Sequence, residues 1–116
     1  MYKPGLHIIS EFQVENPEEL CAFSDVKNYF DSCIKNYGLE KVGEVYHAFS
    51  GGGYTAVVCL TESHISIHTW PEFNKVTFDV FLSNYQKENE GVTVSIHDGL
   101  LKLMLAINIT STKIKR

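Results

Sequence analysis

The chain has 116 residues and a mass of 13.1 kDa, room for one domain around one modest core. Its 44% hydrophobic and 21% charged residues are those of a globular protein, and a net charge of −4 with scattered Lys and Arg argues against a nucleic-acid binder. No apolar run is long enough to span a bilayer and Met1-Tyr-Lys-Pro-Gly5 opens no signal peptide, so a cytoplasmic protein without membrane partners is expected.

Residues 5–14 alternate, imperfectly, with Leu6, Ile8 and Phe12 set against His7, Ile9 and Glu11, which predicts a first strand. Asn16-Pro-Glu-Glu19 then reads as a helix start, with an Asn cap, Pro in the first turn and Glu three residues after the cap. Leu20, Phe23, Val26, Phe30, Ile34 and Tyr37 follow at helical spacing, and Gly38 is placed to end the helix.

Four strands are predicted next. Residues 41–49 and 54–61 flank the Ser50-Gly-Gly-Gly53 turn, and residues 64–70 and 76–83 flank Pro71-Glu-Phe-Asn74. A polar loop over 84–91 leads to a second helix over 93–106, with Ile96, Leu100, Leu103 and Met104 on one face and Gly99 as a weakness within it. Residues 107–115 form a last strand.

The order β-α-β-β-β-β-α-β predicts an α+β two-layer sandwich, a mostly antiparallel sheet with two helices on one face. In the 64–70 strand Ile65 and Ile67 point one way, and His64, Ser66, His68 and Trp70 the other. If the isoleucines meet the helices, the polar and aromatic set lies on the uncovered face, where a second subunit is expected. Cys21, Cys33 and Cys59 lack CxxC spacing and are expected as buried free thiols.

Residues 61–72 gather a hydroxyl nucleophile, two histidines, two carboxylates and the one tryptophan. His64 and His68 have the spacing that chelates zinc on a helix, but on a strand they stand about 13 Å apart, so no metal is expected. A Ser-His-carboxylate hydrolase has its residue types here, but Ser63 is in no G-x-S-x-G elbow. Taken singly, Ser63 reads as a strand-start residue, His68 as a satisfied polar group, Phe49 and Trp70 as packing, and Glu72 as a turn carboxylate.

Taken together, Glu62-Ser-His-Ile-Ser-Ile-His-Thr-Trp-Pro-Glu72 resembles the processing site of the small prokaryotic S-adenosylmethionine decarboxylases, pyruvoyl enzymes made as proenzymes. Gly5-Leu-His-Ile-Ile-Ser-Glu11, Phe49 with the Gly-rich turn, and Phe78-Asp-Val-Phe81 also fall in family-like positions. The resemblance implies self-cleavage of the single 1–116 domain between Glu62 and Ser63, giving chains 1–62 and 63–116. Ser63 would become a covalent pyruvoyl group, a ketone that captures the substrate amine as a Schiff base and takes up electrons as the carboxylate leaves. It assigns His68 as the acid–base of processing, Thr55 (where the family has Ser) as its support, and Phe49, Ile65, Trp70 and Glu72 to the substrate.

The chain departs from the family at Ser83, where a cysteine thiol is the proton donor to the substrate carbon. A serine hydroxyl is a far weaker acid than a thiol of pKa about 8.5. Three readings follow: an S-adenosylmethionine decarboxylase supplying the aminopropyl donor for spermidine, a pyruvoyl decarboxylase of arginine or ornithine, or a non-catalytic homodimeric paralogue. A homodimer or an assembly of dimers is implied.

Overall fold

The computed structural model describes residues 1–85 and 87–116. Six strands form one sheet: β1 (Leu6–Gln13), β2 (Lys41–Ala48), β3 (Tyr54–Leu60), β4 (Ser63–Trp70), β5 (Lys75–Leu82) and β6 (Ile107–Lys115). Their order is β2-β3-β4-β5-β1-β6 and every neighbouring pair is antiparallel. Helices α1 (Ser24–Asn36) and α2 (Glu90–Leu103) supply the second layer, so the α+β sandwich holds, with a sheet antiparallel throughout. Among the described residues no helix is long and apolar enough to cross a membrane.

Strand alternation decides which face the helices cover. Ile8 and Phe12 of β1, Ala56 and Val58 of β3, Ile65 and Ile67 of β4, and Phe78 and Val80 of β5 are all buried and form the sheet side of the core. Val26, Phe30 and Cys33 from α1, and Ile96 and Leu100 from α2, close it from the helix side. Among the described residues no helix covers the opposite face. There Val45, Val57, Ile9 and Trp70 keep 63%, 38%, 43% and 37% of their surface exposed, which leaves apolar area uncovered.

The predicted first helix is broken. Asn16 caps only a short 3-10 turn (Pro17–Leu20), accepting from Glu18 N at 3.1 Å, and α1 begins afresh at Ser24. In a continuous helix the Leu20 carbonyl would accept from Ser24 N. Here the Thr69 hydroxyl donates to it at 2.8 Å, while the Leu20 side chain is fully buried. A tertiary hydrogen bond and core anchorage therefore override the local helical pattern. Gly38, at φ 64°, ends α1 as expected, with Leu39 N donating to Ile34 O.

The second helix runs three residues earlier than predicted at both ends. Leu105 takes φ 53° and Ala106 N closes back onto Leu101 O, which stops it at Leu103. Leu103 consequently stays 46% exposed rather than joining the buried face. Gly99 has a packing reason: a Cβ there would lie 2.1 Å from Tyr29 Oη, whose hydroxyl donates to Ile96 O at 2.8 Å. Gly99→Ala is expected to cost about 1 kcal/mol net, overpacking outweighing the gain in helix propensity, read as a lower urea midpoint.

Of the three cysteines only Cys33 is buried. Cys59 lies on the uncovered face by strand parity and Cys21 follows the broken helix start, so both are exposed, against expectation.

Candidate active site

Residues Thr61 and Glu62 are the two-residue loop of the β3–β4 hairpin, in which Leu60 pairs with Ser63. Ser63 therefore opens β4 at the sheet's end. It lines a cleft of about 400 Å³ together with Glu62, Ser83, Lys87 and Asn89. Ser83 N donates to Ser63 Oγ at 2.9 Å, while Ser83 Oγ accepts from Tyr85 N at 3.1 Å. The structure thus brings the expected nucleophile, the expected scissile bond and the family's proton-donor position to one cleft. The peptide at Glu62–Ser63 is trans, and neither residue has a positive φ.

A second cleft, about 350 Å³, lies at the other end of β4 and is lined by Phe49, Tyr54, Thr55, His68, Trp70 and Glu72. Thr55 and His68 are directly opposite across β3 and β4, and a hydrogen bond joins the Thr55 hydroxyl to His68 Nδ1. Phe49 sits on the Gly-rich turn, where Gly53 at φ 89° permits a close approach of Pro71 to the backbone. His47 meets the Phe49 ring edge-on at 4.9 Å.

The expected site residues are therefore split. Ser63 and His68 are five positions apart on one extended strand, about 16 Å at 3.3 Å per residue. Their parity also differs: Ser63 shares the side of Ile65 and Ile67, whereas His68 faces the uncovered side. No hydrogen bond within one chain joins these groups across such a span. Ile65, expected at the substrate, lies apart from both groups. It is fully buried beneath the helices and its side chain lines neither cleft, because alternation assigns it to the core.

Three groups beside these residues were not legible from local spacing. Lys87 and Asn89 enter the Ser63 cleft from the β5–α2 connection. Lys87 donates to Tyr37 O at 3.1 Å, and Asn89 donates to Ser83 O at 2.8 Å while its Oδ1, buried, has no partner among the described residues. Between the two clefts lies Asp79. Its Oδ2 accepts from His7 Nε2 at 2.9 Å and from His64 Nε2 at 3.1 Å, and its Oδ1 accepts from the Ser66 hydroxyl. Burial pushes the Asp79 carboxyl up, but hydrogen bonds from His64, Ser66 and His7 together outweigh it and hold the group well below the usual carboxylate range.

The sequence profile of the S-adenosylmethionine decarboxylase family matches residues 6–114. The chain belongs to that family. A Hydrogenobaculum protein named S-adenosylmethionine decarboxylase proenzyme is 40% identical over 77 residues, covering 66% of this chain and 58% of that relative. A proenzyme of the same name from Archaeoglobus fulgidus is 39% identical over 77 residues, covering 66% of this chain and 69% of its own length. The crystal structure of the adenosylmethionine decarboxylase from Aquifex aeolicus superposes with a TM-score of 0.83 at 26% identity, covering all of this chain and 92% of that one. The match thus spans under two thirds of the Hydrogenobaculum sequence, while the fold is shared from end to end.

Proposed function

We propose that this chain is a self-processing decarboxylase that cleaves itself between Glu62 and Ser63 and acts on S-adenosylmethionine. The observation that carries the reading is the Ser63 cleft: a hydroxyl on the first strand residue after a tight hairpin turn, adjoining the bond it would attack and beside the family's proton-donor position. Family membership and the naming of the relatives as S-adenosylmethionine decarboxylase proenzymes support it.

In maturation Ser63 Oγ attacks the Glu62 carbonyl carbon and the peptide C–N bond breaks, leaving an ester and a free amine on residue 63. Loss of the Cα proton and of the ester oxygen frees Glu62 as a carboxylate and leaves a dehydroalanine, which water converts to the pyruvoyl group with release of ammonia. The amide's resonance opposes the first step, so the attacking hydroxyl must be held and its proton removed. Ser83 N–H holds Ser63 Oγ in place. The Thr55–His68 pair is the acid–base of this reading, with the imidazole oriented by its Nδ1 contact. Once formed, a pyruvoyl group at residue 63 supplies the electron sink for loss of the substrate carboxylate.

The distance between Ser63 and His68 makes a homodimer part of the reading. Two sheets stacked through their uncovered faces would cover Val45, Val57, Ile9 and Trp70, and the His68 cleft of one copy would serve the Ser63 of the other round the open end of the sheet, where β4 begins. Phe49, Trp70 and Glu72 would then meet the substrate from the second copy, Phe49 stacking on the base and Glu72 accepting from ribose hydroxyls.

Release of labelled carbon dioxide from S-adenosylmethionine, ornithine and arginine tests the substrate. Turnover with S-adenosylmethionine alone is expected, and preference for either of the others overturns that assignment. Ser83→Cys is expected to raise kcat at least tenfold, because a thiol returns a proton to carbon far more readily than a hydroxyl. An unchanged kcat removes position 83 from that role.

A further inference from the structure

We propose that His7, His64 and Asp79 form a binding site for a divalent transition-metal ion, zinc by preference, on the uncovered face of the sheet. The strand order creates it. β5 lies between β4 and β1, and Phe81 of β5 pairs with His64 on one side and His7 on the other. Asp79, two residues along β5 on the same face, receives both imidazoles. One ring nitrogen each from His7 and His64 and one Asp79 carboxylate oxygen lie within 4.8 Å of one another.

The donor set and its spacing suit such an ion. Two imidazoles and one carboxylate match zinc and related metals, whereas magnesium and calcium call for oxygen ligands. With bonds of about 2.0–2.1 Å, the edges of a tetrahedral shell measure about 3.3 Å. The 2.9 and 3.1 Å contacts of Asp79 Oδ2 need to open by a few tenths of an ångström, and the edge between the two imidazoles, bounded at 4.8 Å, closes by up to about 1.5 Å through rotation of the His64 ring. The Ser66 hydroxyl occupies Oδ1 and fixes the carboxylate with Oδ2 turned to the histidines, as supporting hydrogen bonds do around metal ligands. In a single copy the side chains of His7, Asp79 and His64 are 8%, 28% and 37% exposed, so the site has a buried floor and an opening for the ion and a water before a second copy covers the face.

Without the ion, protons do its work. Arg116 Nη1 donates to His7 Nδ1 at 3.2 Å, so the His7 proton sits on Nε2 and points at Asp79. On binding, each imidazole presents its Nε2 lone pair to the metal and carries its proton on Nδ1, with no net proton gained or lost. Exposed Arg116 must swing away from His7 for this to happen. The site's geometry involves neither cleft, and in the proposed homodimer it lies between the two stacked sheets, on the face that carries Ile9 and Val57. Its consequence would be to clamp β1, β4 and β5 beside the residue that follows Ser63.

The test uses the full-length chain, stripped with chelator, equilibrated with zinc chloride and freed of excess metal. Metal analysis by plasma mass spectrometry is expected to give one zinc per chain, with a raised Tm. His64→Gln and Asp79→Asn are each expected to weaken zinc binding about 100-fold or more, and Ser66→Ala about 10–100-fold. Cys59→Ser, on the strand facing His64, is expected to bind as the parent does. Circular dichroism establishes that each variant is folded, and half-exposed His64 tolerates the polar replacement if Asp79 does not. Less than half an equivalent of zinc, or zinc retained by His64→Gln but lost from Cys59→Ser, overturns the proposal.

Discussion

Co-expression of Ser63→Ala with His68→Gln is expected to restore a cleavage that neither variant performs alone. In one chain, Ser63 and His68 belong to clefts at opposite ends of β4 and to opposite sides of the sheet. If the acid–base reaches the nucleophile from a second copy, a mixed dimer holds one site with both groups intact and one with neither. The intact site contains Ser63 from the His68→Gln chain, so that chain alone is cut. With random pairing at equal amounts, about half of the His68→Gln chains end up in mixed dimers and split. Denaturing electrophoresis of the mixed species, with a tag on one variant, reads the result. Cleavage by His68→Gln alone would remove His68 from processing. No cleavage in verified mixed dimers would contradict sharing between copies.

Asp79→Asn is expected to lower stability at pH 7 by about 3 kcal/mol, because the carboxylate collects charge-assisted hydrogen bonds from two histidines and a serine in a half-buried setting. The pH dependence follows from the direction of its shift. Its folded-state pKa lies below the unfolded value, so the contribution is fully present above about pH 5, where the unfolded carboxyl of pKa about 3.9 is ionised. It fades as the pH falls below 4 toward the folded pKa. Urea denaturation of both proteins with chelator present is expected to show a wide gap at pH 7 and a narrower one at pH 3. An equal gap at both pH values would mean that shape, not charge, sets the effect.

Much of the fold was legible because β-strands announce themselves by alternation. Ile65 and Ile67 facing inward and His64, Ser66 and His68 facing outward needed only a period of two. The helix break was not legible, because Leu20 continues the helical spacing and the competing donor, Thr69, is far along the chain. Ile65 shows how resemblance and periodicity can disagree: the motif nominated it for substrate, whereas its parity with Ile67 places it in the core. The separation of Ser63 from His68 was within reach of the sequence, since the rise per residue that keeps His64 and His68 off a common ion also keeps these two apart. The Asp79 cluster was beyond it. His7 and Asp79 meet only because β1 inserts beside β5, a strand order that no local spacing encodes.

The central claim is that the backbone opens ahead of residue 63, and intact mass of the purified, fully matured protein tests it most directly. Two fragments, residues 1–62 and 63–116, are expected in place of the 13.1 kDa chain, the second beginning with a ketone and trapped by an amine and borohydride. The Ser63→Ala variant is expected to stay whole. A parent chain that remains a single 13.1 kDa species and takes up no amine would contradict the account.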